Sequence, residues 1–220
     1  MRLILVTVGF EEKLPLRGLL KVGLSAGDVV ALVYSRSGGE FEVRKVEKAV
    51  GVIKEIIGKA GVSVVDVEVS GSNFYGDVAK ILWFLREQKA SEVVAVLAGG
   101  MRLVAFEVLN ALLMLHRHSG CTGCSVLLMR EDGLYDVILP VELFYVTVSK
   151  AELAVLRALR NEGALKRRQL IEVVSREVGV SASAVYKSLK SLAKKKLVVV
   201  EDETVKPTEM SRLLLLLYEG

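Results

Sequence analysis

The chain has 220 residues, of which 52% are hydrophobic, with a mean hydropathy of +0.44 and a formal net charge of +4. That length suits one large domain or two modest ones. Its apolar residues come in bursts well short of the about 20 needed to cross a bilayer, the longest being Val108–Leu115, interrupted by Asn110. The opening Met1-Arg2-Leu3-Ile4-Leu5-Val6 runs straight into Gly9 and Glu11-Glu12-Lys13 with no small-residue cleavage site, so it reads as a buried strand and not a signal peptide. A soluble, cytoplasmic protein with no membrane partner is expected.

In chain order, strands are predicted at Leu3–Val8, Asp28–Tyr34, Ser63–Val69, Glu92–Leu97, Ser125–Met129 and Tyr135–Leu139. Several are apolar on consecutive residues, as parallel strands covered on both faces must be. Helical patterns at Pro15–Val22, Glu42–Ala60, Asn73–Glu87 and Met101–Arg117 separate them. The alternation predicts an α/β fold with a doubly wound, mostly parallel sheet. The last two strands, joined by Glu131-Asp132-Gly133, are expected to form an edge hairpin.

The pattern changes at Pro140. Val141–Ser149 reads as a connector, followed by helices at Lys150–Asn161 and Arg168–Val178, with Gly179 in the position past the helix end that favours a left-handed backbone. A third helix runs to about Lys196. Leu197–Val200 and Thr204–Lys206 make a short hairpin over Glu201-Asp202-Glu203, and Pro207-Thr208 open a last helix through Leu213–Leu217. Helix, helix, helix, hairpin, helix is the order of a winged helix-turn-helix. The expected domains are residues 1–146 and a second, smaller one at 147–220.

Charge separates these halves. Residues 1–146 hold 16 Lys/Arg against 17 Asp/Glu, whereas residues 147–220 hold 14 against 9. The excess positive charge therefore lies in the C-terminal third, the electrostatic footprint of a nucleic-acid-binding module. Val185, Leu189 and Leu192 repeat at helical spacing and should hold the third helix on its core, with Ser181 or Ser183 as its cap. The opposite face is then expected to carry Ser183, Ala184, Lys187, Ser188 and Ser191 toward base edges. Lys190 and Lys194–Lys196, together with Lys166, Arg167 and Arg168, are expected to neutralise phosphates. Double-stranded DNA is the expected partner, although the Glu201-Asp202-Glu203 tip would be repelled by it. Five consecutive leucines cannot all face one small core, because successive helical residues point about 100° apart. This suggests a homodimer.

In an open parallel sheet, ligands bind at the C-terminal strand ends. There the chain places Gly9-Phe10, Ser35-Arg36-Ser37, Asn73-Phe74 and Gly99-Gly100-Met101-Arg102. Glycines at strand-to-helix turns let a phosphate approach the backbone, and the helix N-terminus offers free N–H groups. The GxGxxG and GxxxxGK[ST] spacings are missing, which argues against NAD and ATP. No cofactor is expected.

The opening Leu5-Val6-Thr7-Val8-Gly9-Phe10, the Gly99-Gly100-Met101-Arg102 turn and the trailing winged helix together resemble one family. It is the archaeal CRISPR-associated transcription regulators that join a CARF domain, a CRISPR-associated Rossmann fold, to a winged helix. The resemblance covers nearly the whole chain. It implies a Rossmann-like sensing domain that dimerises and binds cyclic oligoadenylate, typically cyclic tetra-adenylate, across the two-fold axis, and winged helices acting on promoters of CRISPR-associated genes. By similarity Gly9 and Phe10 match the first loop and Gly99 to Arg102 the glycine-rich turn. Related turns often place a hydroxyl or amide residue where this chain has Leu97-Ala98, which speaks for binding more than for ring cleavage. Three functions stay open: a ligand-gated regulator of transcription, a ring nuclease, and a non-catalytic winged-helix adaptor.

His116, His118, Cys121 and Cys124 lie within nine residues. They are compatible with ordinary turn residues, a local disulfide or a zinc site, and a single CxxC is a weak zinc motif. No catalytic set can be argued from spacing.

Overall fold

Consecutive runs of Val, Leu and Ile belong in a sheet covered on both sides, and such runs form the centre of a six-stranded sheet. The structure, a computed structural model, describes residues 1–119, 123–130, 132, 134–216 and 218. Cys121, Glu131, Gly133 and Leu217, which carried expectations above, lie outside the described residues. The chain divides into two units, Met1–Phe144 and Tyr145–Gly220.

In the first unit the strands are β1 (Arg2–Thr7), β2 (Val29–Ser35), β3 (Ser63–Val69), β4 (Glu92–Leu97), β5 (Cys124–Met129) and β6 (Asp136–Pro140), in spatial order β3-β2-β1-β4-β5-β6. The first five are parallel and β6 runs antiparallel to β5, with Leu127 opposite Ile138. Helices α1 (Lys13–Val22) and α2 (Glu40–Lys59) lie on one face, and α3 (Phe74–Gln88) and α4 (Arg102–Ser119) on the other. Successive strand residues point to opposite faces. Leu3 and Leu5 accordingly join the α3/α4 cluster while Ile4 and Val6 join the α1/α2 cluster, all fully buried. This is the doubly wound, Rossmann-like sheet that the alternation of strands and helices predicts.

A 3-10 turn at Val141–Tyr145 spans the boundary, and the second unit runs on into α5 (Lys150–Glu162). Ser149 and Glu152 form a reciprocal capping box at its start. Then follow β7 (Leu165–Lys166), α6 (Arg167–Val178), α7 (Ala182–Lys194), β8 (Val198–Glu201), β9 (Thr204–Pro207) and α8 (Glu209–Leu216). Gly179 ends α6 at φ +68, the left-handed conformation its position demands. The strands form a small sheet in the order β7-β9-β8. β7 escaped the sequence analysis because two residues are too few to show a period. Leu156, Leu159, Leu170, Val185, Leu192 and Val205 close the core of this unit. Of the leucine run, Leu214 and Leu215 are buried, while Leu213 and Leu216 are 61% and 66% exposed. Among the described residues no helix is long and apolar enough to cross a membrane.

Candidate functional site

The chain leaves β1 toward α1 on one face of the sheet and leaves the adjacent β4 toward α4 on the other. That reversal opens a crevice at the strand ends. Two glycines meet there. A Cβ on Gly9 would lie 2.5 Å from the Gly100 N and Cα, and one on Gly100 would lie 2.8 Å from the Val8 carbonyl oxygen. Gly100 also sits at φ +90, a backbone open to glycine alone at little cost. Gly99 is not constrained in this way, since its nearest neighbour would be 3.6 Å off. Beneath the contact the buried Thr7 hydroxyl accepts from the Gly99 N–H at 3.4 Å and lies 3.5 Å from the Val96 carbonyl.

The neighbouring loops are stitched to this turn by hydroxyls. Ser35 Oγ lies 2.8 Å from Ser37 Oγ and 2.9 Å from the Ser70 carbonyl oxygen, and Ser37 Oγ reaches Met101 Sδ at 3.4 Å. Asp77, in the first turn of α3, accepts from the Ser70 N–H at 2.8 Å, the Ser70 hydroxyl at 2.7 Å and the Gly71 N–H at 2.9 Å. Burial pushes the Asp77 carboxyl up, but these hydrogen bonds outweigh it and hold the group below the usual carboxylate range.

Of the other residues expected to face a ligand, several have structural partners. Asn73 caps α3 by accepting from the Gly76 N–H. Phe74 packs edge-on to Tyr75 and tilted against Phe106, 5.6 and 6.4 Å between centroids. Arg36 lies 3.5 Å from both Glu47 and Glu68, and over the Tyr34 ring, so its charge is already answered. Arg102, by contrast, is exposed at the start of α4, and among the described residues no ion pair engages it. Asp132, a conceivable partner, is held by Arg130. Phe10 is 53% exposed at the crevice rim.

Glu107 was missed by the sequence reading. It stands one helical turn from Val104 and Ala111 on the apolar stripe of α4, and that placement was the available signal. It is fully buried, and among the described residues neither carboxyl oxygen has a hydrogen-bond partner. Burial, with the Asp77 charge adding to it, pushes its pKa up to about 7.

In the second unit, Ser181 caps α7 by accepting from the Ala184 N–H, and its hydroxyl lies 3.0 Å from that of Ser183. The exposed face of α7 carries Ser183, Tyr186, Lys187, Lys190 and Lys194, with Arg168 exposed and Arg167 half-buried at the start of α6. Three of the expected base-edge residues turn the other way. Ser188 is buried, and Ala184 and Ser191 are half-buried. The reason is geometric, because Ser188 lies three residues after Val185 and four before Leu192, inside the buried stripe. Lys195 is also engaged, donating to Glu152 at 2.7 Å and to the Thr147 carbonyl at 2.8 Å. Tyr186, which the sequence reading passed over, lines a cleft of about 240 Å³ with Arg167, Leu189, Lys190, Ala193 and Val200.

Cys124 is disulfide-bonded, which removes its sulfur from any set of zinc ligands. Among the described residues no group of three or more His, Cys, Asp or Glu is placed to hold a metal ion.

Glu107 yields a test. With its folded pKa at about 7 against an ordinary 4.5, the folded state keeps a proton that the unfolded chain releases. The neutral carboxyl's contribution is therefore intact below pH 4.5 and lost as the pH rises to about 7. The loss amounts to about 3 kcal/mol. Glu107→Gln cannot ionise and should abolish that slope, gaining on the wild type between pH 5 and 8. Denaturant unfolding across this range measures it, and parallel pH profiles would remove the argument.

Residues 2–131 match the family model of the Csa3 CRISPR-associated Rossmann-like domain. No curated protein matches the chain. The matched span runs from β1 past β5 and takes in both glycines of the crevice contact along with Arg102. Because the match covers more than half of its length, the chain belongs to the family of the Csa3 CRISPR-associated Rossmann-like domain.

Proposed function

We propose that this protein is a ligand-responsive, DNA-binding regulator of CRISPR-associated genes, whose N-terminal unit senses cyclic oligoadenylate and whose C-terminal unit is a winged helix-turn-helix. The observation that carries the reading is the basic outer face of α7 on a chain that belongs to a CRISPR-associated Rossmann-like family. Lys187, Lys190 and Lys194 recur at helical spacing, so their ammonium groups share one side, flanked by Arg167 and Arg168. Such a stripe suits a duplex backbone, and the helix bearing it suits the major groove. Tyr186 and Ser183 replace Ser188 and Ser191 as the neighbours of these cations. The tip Glu201-Asp202-Glu203 is exposed and acidic, with Glu201 tied to Lys206, so the hairpin stays out of the DNA.

Cyclic tetra-adenylate is the expected ligand. Its phosphates suit the turn where the Gly9–Gly100 contact leaves no side chain between the two loops and α4 begins with Arg102, since the first N–H groups of a helix have no intrahelical partner. A homodimer completes the reading. Tyr75 and Trp83 on α3, with Phe106 and Met114 on the adjoining α4, are 84%, 65%, 59% and 42% exposed, an apolar stripe suited to a second copy.

Three outcomes follow. Lys187→Ala should weaken binding to the promoter of a CRISPR-associated gene and lower the salt slope by about one unit, as measured by fluorescence anisotropy at several salt concentrations. Unchanged binding at every salt concentration would misassign the recognition helix. Arg102→Ala should cost about ten- to hundredfold in affinity for cyclic tetra-adenylate by calorimetry, with the melting temperature held. A lowered melting temperature at full affinity would make Arg102 part of the scaffold. Sedimentation at micromolar concentration should give a dimer that Trp83→Glu with Phe106→Glu dissociates, and a wild-type monomer would end the shared-site idea.

A further inference from the structure

At the rim of the crevice, Phe10 of the expected ligand-facing loop stands with two side chains of α2 that have no assignment above. Phe10, in the loop after β1, and Phe41, in the first turn of α2, are 53% and 66% exposed. The ammonium of Lys45, one turn further along α2, lies 4.3 Å from the Phe41 ring centroid and 5.8 Å from that of Phe10. Two separate segments thus present aromatic faces around one cation.

Packing does not account for these rings. Neither belongs to the clusters that bury the sheet, and leaving a phenyl group in water forgoes the gain of burying it. A cation–π contact at an exposed site is worth only about 0.5–1 kcal/mol and does not require two rings. The position is the informative part, because both rings stand at the C-terminal strand ends, where this fold takes its ligands.

The surrounding charge narrows the chemistry. Glu11 follows Phe10, Glu40 precedes Phe41 and pairs with Arg44, and Glu42 lies against Gly38 and Gly39. Carboxylates at this density disfavour a phosphate. They suit a flat heterocycle bearing amino donors, whose ring stacks on a phenyl face. We propose that Phe10, Phe41 and Lys45 form a stacking subsite for an adenine base of the bound nucleotide, set apart from the phosphate-receiving turn at Gly100 and Arg102. This rests on the nucleotide-ligand reading given above.

The test uses the full-length protein and three probes: cyclic tetra-adenylate, AMP, and ribose 5-phosphate as the control without a base. Phe41→Ala should bind cyclic tetra-adenylate about tenfold more weakly, while Phe41→Tyr keeps wild-type affinity and both variants melt with the wild type. In saturation-transfer NMR, the adenine protons of AMP should receive magnetisation from the wild type and lose it in Phe41→Ala, and ribose 5-phosphate should respond to neither. Full affinity of Phe41→Ala for cyclic tetra-adenylate, beside a loss in Arg102→Ala, overturns the subsite and leaves the sensing reading standing. If cyclic tetra-adenylate fails to bind the wild type, the sensing reading falls. AMP transfer that depends on Phe41 then still upholds a purine subsite, and AMP transfer that is indifferent to Phe41, or absent, overturns it.

Discussion

The crevice at the strand ends of the first unit depends on the backbone contact between Gly9 and Gly100. Two strands whose connections leave in opposite directions must part at their ends, and here the two turns instead touch with no side chain between them. The contact fixes where the turn after β4 lies and therefore where α4 begins. Thr7 secures it from below, and the hydroxyl chain from Ser70 through Ser35 and Ser37 to Met101 secures it from the side. A methyl group at Gly100 would meet a carbonyl oxygen and force a left-handed backbone on an ordinary residue.

Much of this was legible in the sequence, for definite reasons. Uninterrupted apolar strands separated by helical patterns admit few folds, and glycines directly after strands announce turns that need bare backbone. Several residues expected to face a ligand also have partners that the local sequence does not reveal. Arg36 looked free beside Ser35 and Ser37 because Glu47 and Glu68 become its neighbours only once α2 packs on the sheet and β3 pairs with β2. Asn73 and Phe74 sat in the right loop, but one was needed as a cap and the other as packing between α3 and α4.

The second unit taught a different lesson. Ser188 is a small polar group of the kind that suits base edges, yet its spacing from Val185 and Leu192 puts it on the inner side of α7. Angular position outranks polarity here, because the helix cannot turn Ser188 outward without exposing its leucines. Glu107 is the same problem reversed, a charged residue type on an apolar stripe. Burial holds it protonated well above the usual carboxylate range, and its cost is carried by a domain with two extensive cores on either side of the sheet.

The capping box at α5 also bears on how this unit holds together. Glu152 accepts from the Ser149 N–H and from Lys195, and Lys195 also grips the Thr147 carbonyl. The backbone just before α5 is therefore bolted to the far end of α7 by one buried carboxylate and one lysine. Within this unit the approach to α5 and the C-terminal end of α7 part only if the Glu152–Lys195 pair and the Lys195–Thr147 hydrogen bond break together, which makes them a single clasp and not two independent contacts.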